Sequence, residues 1–119
     1  MVGAVSRRKP VFVEDARFLR QQTSKTIKWA LPGPMTISDT IADAHYGDRV
    51  KMAFAFARLI NQEARALQTD GIDMIQIDEP AFNVYMDDVK NWGVEALDAA
   101  LDYQLALADV ERAMGVAIK

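Results

Sequence analysis

The residues best suited to chemistry are two adjacent carboxylates, Asp78 and Glu79, in the run Ile75-Gln76-Ile77-Asp78-Glu79-Pro80-Ala81. A short apolar run, residues 74–77, ends in both acids and a proline. In a parallel α/β protein this places fixed negative charge at the carboxyl end of a strand, where such folds bind ligands and do chemistry. Pro80 cannot donate a ladder hydrogen bond, so it ends the strand just after the acids. The alternative is a strand followed by an Asp-Glu helix cap. It fits less well, because the four residues before the acids are expected to be largely buried. Adjacent strand residues point to opposite sides, so Asp78 and Glu79 should not both face one ligand. That leaves Glu79 as the structural or supporting acid of the pair.

The elements that must hold these acids read as alternating strands and helices. Residues 1–5 are apolar and glycine-containing, a strand or strand end, and residues 6–10 form a basic turn. Residues 14–22 read as a helix with Phe18 and Leu19 on its apolar side and acids in its first turn. Residues 26–31 alternate Ile27, Trp29 and Leu31 with Lys28 and Ala30, a strand pattern in which Trp29 packs in the core. Pro32-Gly33-Pro34 then breaks regular structure. Residues 38–48 read as a polar connection with room for a helical turn, and Asp48 is a candidate N-cap. In the long helix that follows, Val50, Ala53, Phe54, Ala57, Ile60, Ala64 and Leu67 recur at helical spacing. Gly71 is the expected breaker and residues 72–77 the next strand. Residues 82–86 read as a loop whose Phe82 and Tyr85 either line the mouth of the acidic site or fill space under the next helix. A final helix runs from near Asp87 through Val94, Leu97, Leu101, Leu105 and Ala108. Gly115 ends it, and residues 116–118 start a further strand. The order β-α-β-α-β-α implies parallel strands with right-handed crossovers. Such strands need helices on both faces or closure into a barrel.

The chain has 119 residues, half of them hydrophobic, and a formal net charge of −3. A complete barrel of eight β/α units takes about 250 residues, so this chain can supply only part of one. With its three strands left unpaired at the edges, and with the resemblance given below, the expected fold class is α/β, a partial (β/α)8 TIM-barrel segment with parallel strands over residues 1–119: a fragment, a truncated product or half of an assembly. Its unpaired sheet edges are a liability for association, so self-association or docking with a complementary barrel piece is expected. Mild acidity offers no argument for nucleic acid or lipid as partner. No apolar run approaches the ~20 residues that span a membrane, and residues 1–9 lack the apolar core of a secretory signal. The sequence has no cysteine, which rules out disulfides and is compatible with a reducing compartment, so a cytoplasmic location is expected.

The stretch from Ile75 to Ala81 resembles the strand signature of the cobalamin-independent methionine synthase family. Upstream, Leu31-Pro32-Gly33-Pro34-Met35-Thr36-Ile37 resembles that family's Gly-Pro-x-Thr-Ile turn. The order and spacing of the two motifs fit, as does the amphipathic helix between them, and the resemblance runs over about residues 2–97. It implies a catalytic barrel that transfers a methyl group from a folate to homocysteine, with zinc holding the thiolate. Carried over by position, Asp78 receives the amino group of homocysteine, because an ammonium entering a partly dry pocket needs a fixed counter-charge. Glu79 is the second acid of this substrate site. Gly33, Pro34 and Thr36 belong to the turn that borders the folate site, where glycine lets backbone approach a ligand and proline stiffens the loop.

Two positions depart from the pattern. Typical members have a tryptophan on the pterin where this chain has about Thr40. They have a folate-contacting acid where it has about Val84. These changes suit shorter family members whose methyl donor is a corrinoid carrier rather than a folate. Arg7, Arg8 and Lys9 either meet an anionic cofactor tail or form solvated surface. The zinc ligands implied by the family, a His-x-Cys pair on the following strand with a later acid and cysteine, have no counterpart. The chain runs instead into Tyr103-Gln104-Leu105-Ala106-Leu107-Ala108. Asp39, Asp43 and His45 match no zinc spacing. The expectation is a substrate-binding segment with no catalytic residue and no metal ligand of its own. Two other readings remain: a non-catalytic, barrel-derived interaction module, and a member of a related barrel group such as the uroporphyrinogen decarboxylases or thiol methyltransferases.

Overall fold

The structure, a computed structural model, describes residues 1–102. Helix α1 (Val13–Gln22) leads to strand β1 (Lys28–Pro32), a short helix α2 (Pro34–Thr40) and the long helix α3 (Arg49–Thr69). Strand β2 (Met74–Asp78) follows, then a 3₁₀ turn (Pro80–Asn83), helix α4 (Met86–Asp88), a π-helical turn (Val89–Gly93) and helix α5 (Val94–Leu101). β1 and β2 pair in parallel, Lys28 opposite Met74 through Pro32 opposite Asp78. The expected continuation through Leu105 and Ala108, the stop at Gly115 and the strand at 116–118 lie outside the described residues.

α3 forms where the sequence pattern places it. The Asp48 carboxylate accepts from the backbone N–H groups of Val50 at 2.8 Å and Lys51 at 3.2 Å, satisfying donors the first turn leaves orphaned. Its exit is set by Gly71, whose φ of 97° is costly for any residue with a Cβ. Ala57, Ile60, Ala64 and Leu67 of α3 meet Ile27 just before β1, Leu31 of β1, Ala16 of α1 and Ala100 of α5 in one core. Small alanines at these contacts let helices and sheet approach closely. A second cluster gathers Met35, Ala53, Ala81, Trp92 and Ala96 beyond the carboxyl end of the sheet.

Several expectations change. Residues 1–5 form no strand. The Met1 ammonium donates to the Ala42 carbonyl at 2.6 Å, and the Val5 amide donates to the Tyr46 hydroxyl at 2.9 Å. The segment is tied to a loop rather than to a sheet edge, so its ladder partners are absent. Pro34 does not break structure but begins α2, because its missing N–H is dispensable in a first helical turn. The 80–83 segment is a 3₁₀ turn rather than a loop. Arg7 is no solvated residue: its guanidinium pairs with the buried Glu63 carboxylate at 2.9 Å. Residues 74–77 are not largely buried. Ile75 and Ile77 are half-buried over the core, whereas Met74 is 54% exposed and Gln76 is exposed. The reason is that helices cover one face of the two-stranded sheet. The other face, carrying Lys28, Ala30, Pro32, Met74, Gln76 and Asp78, is open.

Candidate functional site

At the carboxyl end of the sheet the two neighbouring acids separate as strand geometry requires. The Asp78 carbonyl still belongs to the sheet, accepting from the Gly33 amide at 2.8 Å. Its carboxylate lies on the open face and is exposed. There its Oδ1 accepts from the Gln76 side-chain amide at 2.6 Å. Glu79 turns the other way. Its Oε2 accepts from the Met35 amide at 3.0 Å and its Oε1 from the Thr36 amide at 2.8 Å. Both carboxylate oxygens thus close the first turn of α2, whose Gly33 cap has no side chain to do so. Thr36 replies by accepting the Ala81 amide at its hydroxyl, 3.2 Å away.

Gly33 shows why this knot needs glycine. A Cβ at that position would fall inside the Glu79 side chain. The close approach expected of a ligand is made here by Glu79 itself. Pro34 is buried beneath the same turn. The structure therefore brings Gly33, Pro34, Thr36 and Glu79 together as a rigid platform and leaves Asp78 as the carboxylate on the open face.

A second group of charges sits beside the platform. Arg49, at the start of α3, pairs with Asp39 at 3.2 Å and Asp88 at 3.1 Å. Its guanidinium lies 4.4 Å from the Tyr85 ring centre and 5.5 Å from that of Trp92. The Tyr85 hydroxyl bonds to Asp39, and that bond with the Asp39 charge pushes the phenol pKa above its ordinary value. Tyr85 is thus held in a structural clasp between α2, α3 and α4, and Phe82 is half-buried against the second core cluster. Asp39, Asp43 and His45 do not converge. Asp43 instead accepts from the His45 and Tyr46 amides, at 2.9 and 2.8 Å, and these bonds hold its carboxyl below the usual range.

Three contributors escape sequence reading. Gln76 stands two residues before Asp78 on the same strand face, and that spacing is its signal. Glu63 is an acid within the apolar stripe of α3, and besides Arg7 it accepts the Val11 and Phe12 amides at the entry to α1. Arg49 gave no signal beyond following the capping Asp48.

Comparison with known proteins now bears on this geometry. Residues 1–117 match the family described as cobalamin-independent synthase, catalytic domain. The chain belongs to the cobalamin-independent methionine synthase family. A methionine synthase from Saccharolobus solfataricus is 33% identical over 102 residues, covering 85% of this chain and 30% of its own length. A 2-hydroxypropyl-CoM lyase from Xanthobacter autotrophicus is also 33% identical, over 86% of this chain and 26% of its own. A B12-independent methionine synthase from Shewanella sp. W3-18-1, solved in complex with selenomethionine, superposes with a TM-score of 0.80 at 57% identity. That match covers 82% of this chain and 28% of the Shewanella chain. The chain thus spans between a quarter and a third of these relatives, and its fold is a partial barrel segment with parallel strands. No helix among the described residues is long and apolar enough to cross a membrane.

The zinc that the resemblance implies finds no donor set here: the sequence offers one histidine and no cysteine, and among the described residues no three His, Cys, Asp or Glu side chains converge to hold a metal.

Proposed function

We propose that this chain is the amino-acid-binding segment of a methyltransferase that makes methionine from homocysteine, with Asp78 as the counter-charge for the substrate ammonium. One observation carries the reading. Asp78 stands at the carboxyl end of β2, exposed on the open sheet face, with one carboxylate oxygen unpartnered among the described residues. An incoming ammonium would complete it. The relative solved in complex with selenomethionine supports an amino acid as the ligand. Glu79, Gly33, Pro34 and Thr36 support this site as its floor, and the same turn borders the methyl donor, a folate or a corrinoid carrier. Thr40 and Val84, both exposed, favour the corrinoid. Zinc belongs to the family's chemistry and its ligands are absent from this chain, so we assign it no step here and expect no catalysis by the chain alone. The cytoplasm is the compartment in which a cysteine-free segment of this kind fits.

A direct test combines two assays on the purified chain. Incubation with homocysteine, methyl donor and stoichiometric zinc should yield no methionine, and turnover would overturn the view that the segment is inactive alone. An NMR titration with L-methionine should show binding that Asp78→Asn abolishes. Equal binding by both forms would remove Asp78 from the site.

The second reading, a non-catalytic interaction module, rests on the open face and free edges of the β1–β2 sheet. Its occupant would be a complementary piece of the same barrel. A concentration-independent dimer in sedimentation equilibrium, with no methionine binding, would favour it over the enzyme segment.

A further inference from the structure

We infer that Gln76 is the positioning residue of this site: its amide orients the Asp78 carboxylate for an ammonium without neutralising it. The inference rests on Asp78 being the anchor. Gln76 and Asp78 share the open face of β2, and the Gln76 Nε2 to Asp78 Oδ1 distance is 2.6 Å. On the neighbouring strand the residue opposite Asp78 is Pro32, which has no N–H to offer, and the one opposite Gln76 is Ala30, too small to reach either. The cation on this face of β1 is Lys28, level with Met74. Four residues of strand separate that level from Asp78, roughly 13 Å at ~3.3 Å per residue. Among the described residues Asp78 therefore has a neutral donor beside it on this face and no cation.

That choice of donor has a consequence. A lysine or arginine at position 76 would satisfy Asp78 and compete with any incoming ammonium. An apolar residue would leave the carboxylate free to rotate, so its orientation would have to be fixed on binding. A glutamine amide does neither. It fixes Oδ1 and leaves the carboxylate ionised, with Oδ2 open to a cationic group. The predicted ligand class is a primary amine, here an α-amino acid, discriminated from the same molecule without its amino group.

The experiment uses the full chain and two probes, L-methionine and its des-amino analogue 4-(methylthio)butanoate, followed by NMR titration. Gln76→Leu should weaken methionine binding about tenfold, the effect of losing one hydrogen bond to a charged group. It should leave analogue binding unchanged, both in the wild type and in the Asp78→Asn background. Gln76→Ala serves as the second variant, and thermal melts of each establish folding. A merely structural role would weaken both probes alike and would persist without Asp78. Wild-type affinity for methionine in both Gln76 variants, with binding still lost in Asp78→Asn, would overturn the positioning role and leave the anchor standing. Methionine binding that is undetectable in the wild type or indifferent to Asp78 would overturn both.

Discussion

The two ends of the β1–β2 sheet are wired differently. At the amino end Arg20 and Asp73 tie the chain together. Arg20 of α1 donates to the carbonyls of Gly71, Thr23 and Lys25 and to the Asp73 carboxylate, at 3.1, 2.7, 2.6 and 2.9 Å. Asp73 also accepts the Ile27 amide at 2.8 Å, and the Ile27 carbonyl accepts the amides of both Asp73 and Met74 at 3.1 Å. At the carboxyl end the backbone is knit as tightly through Glu79 and Thr36, yet the carboxylate on the open face has one donor. Asp73 and Asp78 bracket the same strand with the same side chain, but Asp73 has two donors, one of them a cation, and Asp78 has one neutral donor. A carboxylate that folding needs is surrounded by donors, and one left half-satisfied beside a rigid platform is available to a ligand.

The comparison would break first at Gly33. Gly33→Ala drives a methyl group into the Glu79 side chain and forces it off α2, so both amide-to-carboxylate bonds are lost together. We expect about 3 kcal/mol of destabilisation, read from urea unfolding. In a Glu79→Ala background the same substitution should do little more, because the clash is gone. Additive losses would mean that the platform is not built on this contact. Arg20→Met comes next. It removes the amino-end latch but keeps much of the packing of its stem, and about 2 kcal/mol should be lost. Gly71 is tied to the same latch, since a Cβ there would come within 2.9 Å of Arg20 Cδ.

These two ends were unequally legible in the sequence. The place of Asp78 at a strand end and of Gly33 in the turn could be read because they are local patterns, and local patterns are what a sequence displays. The long helix, its Asp48 cap and its Gly71 exit were legible for the same reason. Arg20, Glu63 and Arg49 were not, because the partners that matter most, Asp73, Arg7 and Asp88, lie 39 to 56 residues away and depend on how elements pack. The fate of residues 1–5 was hidden likewise. An apolar pentapeptide has strand propensity, but its ladder partner is a matter of tertiary context. The reading of residues 74–77 as buried assumed a sheet covered on both faces, which a segment with helices on one side does not supply.

Acid sharpens the contrast between the aspartates. The Ile27 amide holds the Asp73 carboxyl below its ordinary value against the opposing effect of burial, with Arg20 helping by its hydrogen bond and its charge. A folded-state pKa below the unfolded one gives stability that is present above the unfolded value and lost as pH falls through the folded one. Melting temperature should therefore drop below about pH 4, the aspartate range. Asp73→Asn should flatten part of that drop while lowering stability at neutral pH. Asp43, lowered by the His45 and Tyr46 amides, contributes in the same direction, so Asp43→Asn is the matching control. An unchanged acid limb in Asp73→Asn would show that the amino-end latch does not depend on that charge.

The smallest effect on stability is the most telling. Asp78→Asn keeps the shape of the side chain and an oxygen that can accept from the Gln76 amide. The side chain is exposed, no cation pairs with it on this face, and Glu79 rather than Asp78 holds the platform. Folding therefore has little to lose, and urea unfolding should shift by no more than about 0.5 kcal/mol. A ligand ammonium, by contrast, loses its counter-charge on the open face, and binding should fall far more than folding does. A substitution neutral for stability and severe for binding is the signature of a group retained for a ligand. If Asp78→Asn instead unfolded the chain as readily as Arg20→Met, Asp78 would belong with Asp73 among the structural carboxylates. The open end of the sheet would then need a different anchor.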